Sequence, residues 1–243
     1  MKQSVFTTIV LVSAFVIGYI IFELLPEFIQ KGGPLVVALI ALILMLTTFI
    51  FERFFSLRKA QGRGSITAFL KNIQTAINTG DIEGAIGACD KQRGSCANII
   101  RTGLERYKTM VEEGDTKGGK AVMDEVNHAI EEATMLEVPL LERNLVVLST
   151  IASISTMVGL LGTVIGMIRS FAALARAGAP DAVQLSIGIS EALINTAGGI
   201  AGGIGGIVAY NFFVTKVDNF TYMIDEASYS IVQSLVSRKG GKR

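Results

Sequence analysis

Two long stretches of this chain are almost empty of charge, and they constrain its fold more than any other feature. From residue 144 to 168 no charged side chain occurs, and from 182 to 215 the only one is Glu191. A hydrocarbon layer ~30 Å thick is crossed by about 20 apolar residues in a helix, and both stretches exceed that length. The connection between them, residues 176–181, contains Gly178 and Pro180 and is too short for anything but a tight turn. The expectation is an antiparallel transmembrane hairpin, LSTIASISTMVGLLGTVIGMIRSF at 148–171 and GISEALINTAGGIAGGIGGIVAYN at 188–211.

Within the first of these helices, Ser149, Ser153, Thr156, Thr163 and Ser170 follow one another at steps of four, three, seven and seven. That repeat holds them near one stripe. A hydroxyl gains nothing from lipid and about 0.5–2 kcal/mol from an interhelical hydrogen bond, so the stripe is expected to face other helices or a lumen. In the second helix Glu191 stands well inside the apolar run, with Asn195 one turn on and Thr196 beside it. An acidic group at mid-membrane costs about 3 kcal/mol unless protonated, hydrated or paired, which makes Glu191 a candidate functional group. Arg169, near the same end of the hairpin, is within reach as an ion-pair partner; a structural pair and a proton path are both open readings for Glu191. Thr163 and Thr196 likewise have two readings: bonds to backbone carbonyls one turn back, or a place on a lumen.

Small residues set how close the helices approach. Gly162 and Gly166 form one GxxxG, Gly198, Gly202 and Gly206 form two more, Gly199 with Gly203 repeats the spacing on an adjacent face, and Gly159 joins the packing set. More faces are prepared than one partner helix uses, which predicts neighbours from other copies of the chain and hence a homo-oligomer.

The segment VGLLGTVIGMIRSF at 158–171, then GISEALINTAGG at 188–199 and AYN at 209–211, resembles the paired signature of the ExbB/TolQ/MotA proton-channel family, and within it the ExbB and TolQ branch. The similarity is strong over roughly residues 140–215, a third of the chain. The resemblance implies a pentameric ring in a bacterial inner membrane. Its pore would be lined by Thr163, Thr196 and Glu191, with Asn195 a further candidate beside them, and would enclose an ExbD/TolR-like single-span partner that carries the titrating Asp. A TonB/TolA-like protein would be the further partner, and the work done would be transport or envelope processes at the outer membrane. Two positions depart from the pattern: Gly205 stands where a proline is expected, and Asn195 where a small apolar residue is usual. The amide either adds to the lumen or seals a helix contact.

The remaining chain completes a multi-pass, all-α plan. Residues 5–25 are apolar apart from Glu23, with no cleavage region of the kind that follows a signal peptide, and residues 34–51 form a second apolar run after the connector PEFIQKGG. Four spans are therefore expected, one more than the ExbB and TolQ branch needs. Arg53, Arg58, Lys59 and Arg63 follow the second run, and Arg238, Lys239, Lys242 and Arg243 close the chain. By the positive-inside rule both flanks, and both termini, are cytoplasmic. The organisation expected is membrane helices at 1–55, a cytoplasmic helical domain at 56–142, the pore hairpin at 143–216, and a C-terminal helix with a basic tail at 217–243. In the cytoplasmic part, apolar spacing predicts helices from Ile66 to Ile77, from Ile82, and from about Cys96 to Val111. A glycine-rich break at 114–119 follows, then one long helix from Val122 to Leu148, bent by Pro139, that continues into the membrane.

Other chemistries find no support. A net charge of +1 excludes the basic footprint of a nucleic-acid binder. Cys89 and Cys96, seven apart, form neither a metal nor a redox motif, and His128, among Glu125, Glu131 and Glu132, reads as a solvated surface group. No nucleophile, phosphate loop, metal site or cofactor motif is present, so no enzyme activity is expected. The leading expectation is a proton-conducting motor subunit; a non-conducting scaffold for partner helices and a flagellar-type stator subunit are the alternatives. Membrane lipid is the expected surround in all three.

Overall fold

The computed structural model describes residues 3–112, 119–175 and 181–240. Every described element is helical: α1 Gln3–Leu24, α2 Glu27–Gln30, α3 Leu35–Ala60, α4 Ile66–Thr79, α5 Ile82–Gln92, α6 Ser95–Glu112, α7 Gly119–Glu142, α8 Leu145–Leu174 and α9 Ala182–Gly240. The chain divides into two packed units, Met1–Arg53 with Asn144–Phe213, and Phe54–Arg143 with Val214–Arg243. The glycine-rich break expected at 114–119 and the turn expected at 176–181 fall almost wholly outside the described residues.

The first unit is built inside out relative to a water-soluble bundle. Many of its inward positions are small residues, among them Ala41, Ala152, Gly159, Gly162, Gly166 and Ala192, beside larger ones such as Leu39, Phe49 and Leu148, while Val12, Val16, Leu160, Ile168, Leu193 and Ile204 point outward and are exposed. Small side chains inside and large apolar ones outside is the distribution expected where the surround is hydrocarbon and close backbone packing holds the helices together. Three helical stretches, Leu35–Ala60, Lys120–Leu174 and Ala182–Ser237, are long and apolar enough to cross a membrane, and the apolar stretch Thr8–Leu24 within α1 is shorter. The connector PEFIQKGG, expected only as a break, carries the one-turn helix α2. It closes through Gly33 at φ 73°, a left-handed conformation that glycine adopts without steric cost.

The helix expected to run unbroken from Val122 to Leu148 is in fact two. The α7 helix keeps Pro139 inside it and stops at Glu142, and α8 starts at Leu145. Asn144 between them is left-handed at φ 63°, which no continuing α-helix contains. Its side chain compensates by donating from Nδ2 to Glu52 Oε2 at 3.2 Å. Glu52 in turn holds the buried guanidinium of Arg53 as a two-pronged pair, 2.7 Å from Nε and 2.7 Å from Nη2. By contrast α9 runs without interruption through residue 216, where the hairpin was expected to give way to the C-terminal helix.

The second unit is an ordinary amphipathic bundle. Phe69, Ile73 and Ile77 of α4, Ala85 and Cys89 of α5, Ile99, Ile100 and Leu104 of α6, Val126 and Ile130 of α7, and Phe220, Ile224 and Ile231 of α9 are buried at helical spacing. Gly103 lets α6 lie against Ile130, and Gln74 Nε2 donates to Ser230 Oγ at 2.6 Å between α4 and α9. Ser65 and Asp81 cap α4 and α5 by accepting from the Ala68 and Gly84 amides. His128 is exposed on α7, its Nδ1 3.4 Å from Glu132.

Candidate functional site

The site follows from how α8 and α9 meet. A Cβ added to Gly159 would lie 2.8 Å from the Cα of Gly199, and one added to Gly166 would lie 2.6 Å from the Gly188 carbonyl oxygen. Gly206 lies on Ala152 in the same way. Backbones in such contact leave a seam with two edges, and the side chains on each edge differ in character.

One edge is covered by α3 and its connector. There Gly198 faces Leu39, Gly202 lies between Ser155 and Ile43, and Gly162 is filled by the side chain of Asn195. The glycine faces of α9 are thus occupied by α8 on one side and α3 on the other, both from the same chain. Several glycine faces therefore do not require neighbours from other copies, contrary to the sequence expectation.

Asn195 is fully buried on this covered edge, with Nδ2 donating to the carbonyls of Gly32 at 2.7 Å and Glu191 at 2.9 Å. Within the protomer it fills a helix contact and lies away from the surface, the second of the two places the sequence left open for it. Glu191 is also enclosed, at 3% exposure, and its carboxylate lies against Gly33, where any side chain would collide with Oε1. Arg169 Nη1 sits 2.6 Å from both carboxylate oxygens while more than half of the arginine side chain stays exposed. The geometry is that of an ion pair pinning the connector to the hairpin, with the carboxylate enclosed inside the protomer. Neither Asn195 Oδ1 nor the buried Ser155 Oγ has a partner among the described residues. Ser155 was missed by the sequence reading because it falls between the hydroxyls of the stripe.

The other edge carries Thr156, Thr163, Thr196 and Gly203. The Thr163 and Thr196 hydroxyls hydrogen-bond to each other across the seam, and each also reaches a carbonyl of its own helix, Gly159 at 3.3 Å and Ala192 at 3.0 Å. With one proton each, one threonine donates to its helix while the other donates across, and the two assignments exchange roles. Both residues are half-buried, set between exposed Leu160, Leu193 and Ile200. Of the two readings open to them, the bonds to carbonyls one turn back are present in both residues. The rest of the stripe disperses: Ser170 is buried and donates to the Leu185 carbonyl at 3.1 Å, while Ser153 is exposed.

In the second unit, Cys89 and Cys96 are free and buried. Burial, then the neighbouring Cys96 thiol and Asp90, push the Cys89 thiol up to about 12; burial alone pushes Cys96 up to about 11.

Residues 91–226 match the MotA/TolQ/ExbB proton channel family. The chain is 30% identical over 191 residues to the Tol-Pal system protein TolQ of Pseudomonas aeruginosa, covering 76% of this chain and 81% of that one. It is 23% identical over 216 residues to the biopolymer transport protein ExbB of Pseudomonas putida, covering 89% of this chain and 64% of that one. With ExbB of Helicobacter pylori it shares 41% identity over 78 residues, 32% of this chain and 54% of that one.

Proposed function

Because this chain belongs to the MotA/TolQ/ExbB proton channel family, as an energiser subunit of ExbB/TolQ type, we propose that its α8–α9 hairpin forms part of a proton path shared with a partner protein. The partner is an ExbD/TolR-like single-span protein with a membrane Asp. Copies of this chain surround it as a ring, five by analogy with the family, in the bacterial inner membrane, with the basic flanks and both termini in the cytoplasm. The load is a TonB/TolA-like protein acting on outer-membrane transport or envelope processes. A membrane potential supplies about 2.3 kcal/mol per charge per 100 mV, the energy such a unit would convert.

The observation that carries this reading is the Thr163–Thr196 pair. Thr156 apart, it is the accessible polar group described on an edge of apolar side chains, left open beside the seam. A hydroxyl pair whose donor direction reverses is suited to passing a proton to and from a carboxylate brought alongside. Glu191, held by Arg169, is assigned a structural part.

The deciding experiment is proton uptake into liposomes holding the chain with its partner. Thr163→Val and Thr196→Val should slow uptake at least tenfold while the complex still assembles. Uptake at the wild-type rate in both assembled variants would leave the non-conducting scaffold as the better account.

A further inference from the structure

The second unit holds a cavity of about 490 Å3 that the proton path does not use. Its volume lies in the range of small-ligand sites. Three cations line it, Lys59 from the last turn of α3, Arg63 from the loop after α3, and Arg93 from the loop before α6. None of the three has an acidic partner among the described residues, and the cavity's one carboxylate, Glu137, is taken up by Asn98 Nδ2 at 2.9 Å.

The two loops are locked together. Arg63 N donates to the Gln92 carbonyl at 2.7 Å, and Gly62 and Gly94 lie backbone against backbone, both with positive φ. Arg93 itself is held at φ 56°, an uncommon conformation for a long side chain, and this backbone brings its loop beside that of Arg63. At the floor lies the start of α6. Gly94 accepts the first helical bond from Asn98 at 3.0 Å but has no side chain with which to cap the amides of Ser95, Cys96 and Ala97. Ser95 lines the cavity, is 94% buried by its 6% exposure, and its hydroxyl has no partner among the described residues. Cations, free helix amides and a buried hydroxyl converging on one space are the donor set for a phosphate oxygen cluster.

The source of that phosphate is suggested by α3. The helix has 26 residues, about 39 Å at its usual rise, against a hydrocarbon thickness of ~30 Å, so its last turn with Arg58 and Lys59 reaches the depth of lipid headgroups. We infer that this cavity is a phosphate-binding site, taking the phosphodiester of an anionic phospholipid or a phosphate group from solution. It is independent of the hairpin and of the proton reading.

The test uses the full chain in phosphatidylcholine nanodiscs carrying a minor fraction of phosphatidylglycerol, with lipid retention followed by native mass spectrometry, and in micelles with inorganic phosphate followed by phosphorus NMR linewidth. Retention of phosphatidylglycerol over phosphatidylcholine should fall about tenfold in Arg63→Gln/Arg93→Gln. It should fall by a smaller factor in Ser95→Ala, and stay unchanged in Lys71→Gln, which removes an exposed cation of the same unit away from the cavity. Lys59→Gln, on a helix surface, serves if the double variant fails to fold. Retention without phosphate broadening assigns the lipid headgroup as the source; broadening abolished by the same substitutions assigns free phosphate. Equal behaviour of wild type and cavity variants, or an equal loss in Lys71→Gln, overturns the site.

Discussion

Asn195 and Gly32 are 163 residues apart in the chain, and the Asn195 amide nitrogen lies 2.7 Å from the Gly32 carbonyl oxygen. This bond ties the connector ahead of α3 to the middle of the α8–α9 hairpin. Replacing Asn195 with Ala removes two donated hydrogen bonds and empties the space beside Gly162. A loss of about 2 kcal/mol is expected, from an unsatisfied buried carbonyl together with lost packing. Denaturation of the full chain in mixed micelles would measure it; a change within about 0.5 kcal/mol, the scatter of surface substitutions, would mean the bond does not hold the connector.

The Arg169–Glu191 pair is asymmetric, since the carboxylate is enclosed and the guanidinium is half outside. Removing Arg169 strands a buried charge, whereas Glu191→Gln keeps a polar group of the same shape. Arg169→Ala should therefore cost more than Glu191→Gln, by about 1–3 kcal/mol, and the double variant Arg169→Ala/Glu191→Gln should recover part of the difference. A thermodynamic cycle with no coupling between the two positions contradicts the pairing.

Two glycines test whether close approach or helix propensity decides. Gly159→Ala would place its methyl 2.8 Å from the Gly199 Cα, where neither backbone can yield, and should destabilise the hairpin by about 1–3 kcal/mol. Gly87→Ala in α5 meets nothing within 4 Å and should stabilise the second unit by about 0.5–1 kcal/mol. Thermal midpoints moving the same way for both variants would contradict the seam.

The buried thiols give the second unit an alkaline limit. Because the folded chain holds the Cys89 proton up to about 12 and the Cys96 proton up to about 11, against an ordinary thiol value of 9.0, the unfolded chain releases those protons first. Their contribution is fully present below pH 9.0 and is lost as pH rises from there through about 11 and 12. Stability measured between neutral and strongly alkaline pH should fall over that window, less steeply in Cys89→Ala. Iodoacetamide near neutral pH should leave both thiols unmodified until denaturant is added; rapid labelling of the folded chain would show that they are accessible.

Much of this layout was readable because the signals are local. Charge-free length marked the hairpin, and the spacing of Phe69, Ile73 and Ile77 marked a soluble amphipathic helix. What escaped depends on partners remote in sequence. Asn144 ends α7 by turning left-handed, which becomes sustainable once Glu52 accepts from it. Asn195 could not be assigned to lumen or contact without knowing that the Gly32 carbonyl lies opposite. The glycine series looked like more faces than one chain could fill because the sequence does not show that α3 returns against α9. The Arg169–Glu191 distance was reachable by counting turns, since both residues lie near the same end of one hairpin.

Asn195 and Thr196 are neighbours in sequence that serve opposite edges of the seam, the amide turned to the connector at Gly32 and the hydroxyl to Thr163. Each residue of an α-helix advances about 100° around its axis. Inserting a single alanine between Ala182 and Glu191 would wind Asn195 out of its socket or Thr196 away from its mate, whichever way the helix settled, whereas seven added residues would bring both back to within about 20° of their starting azimuth. This stretch should tolerate changes of side chain far better than changes of length.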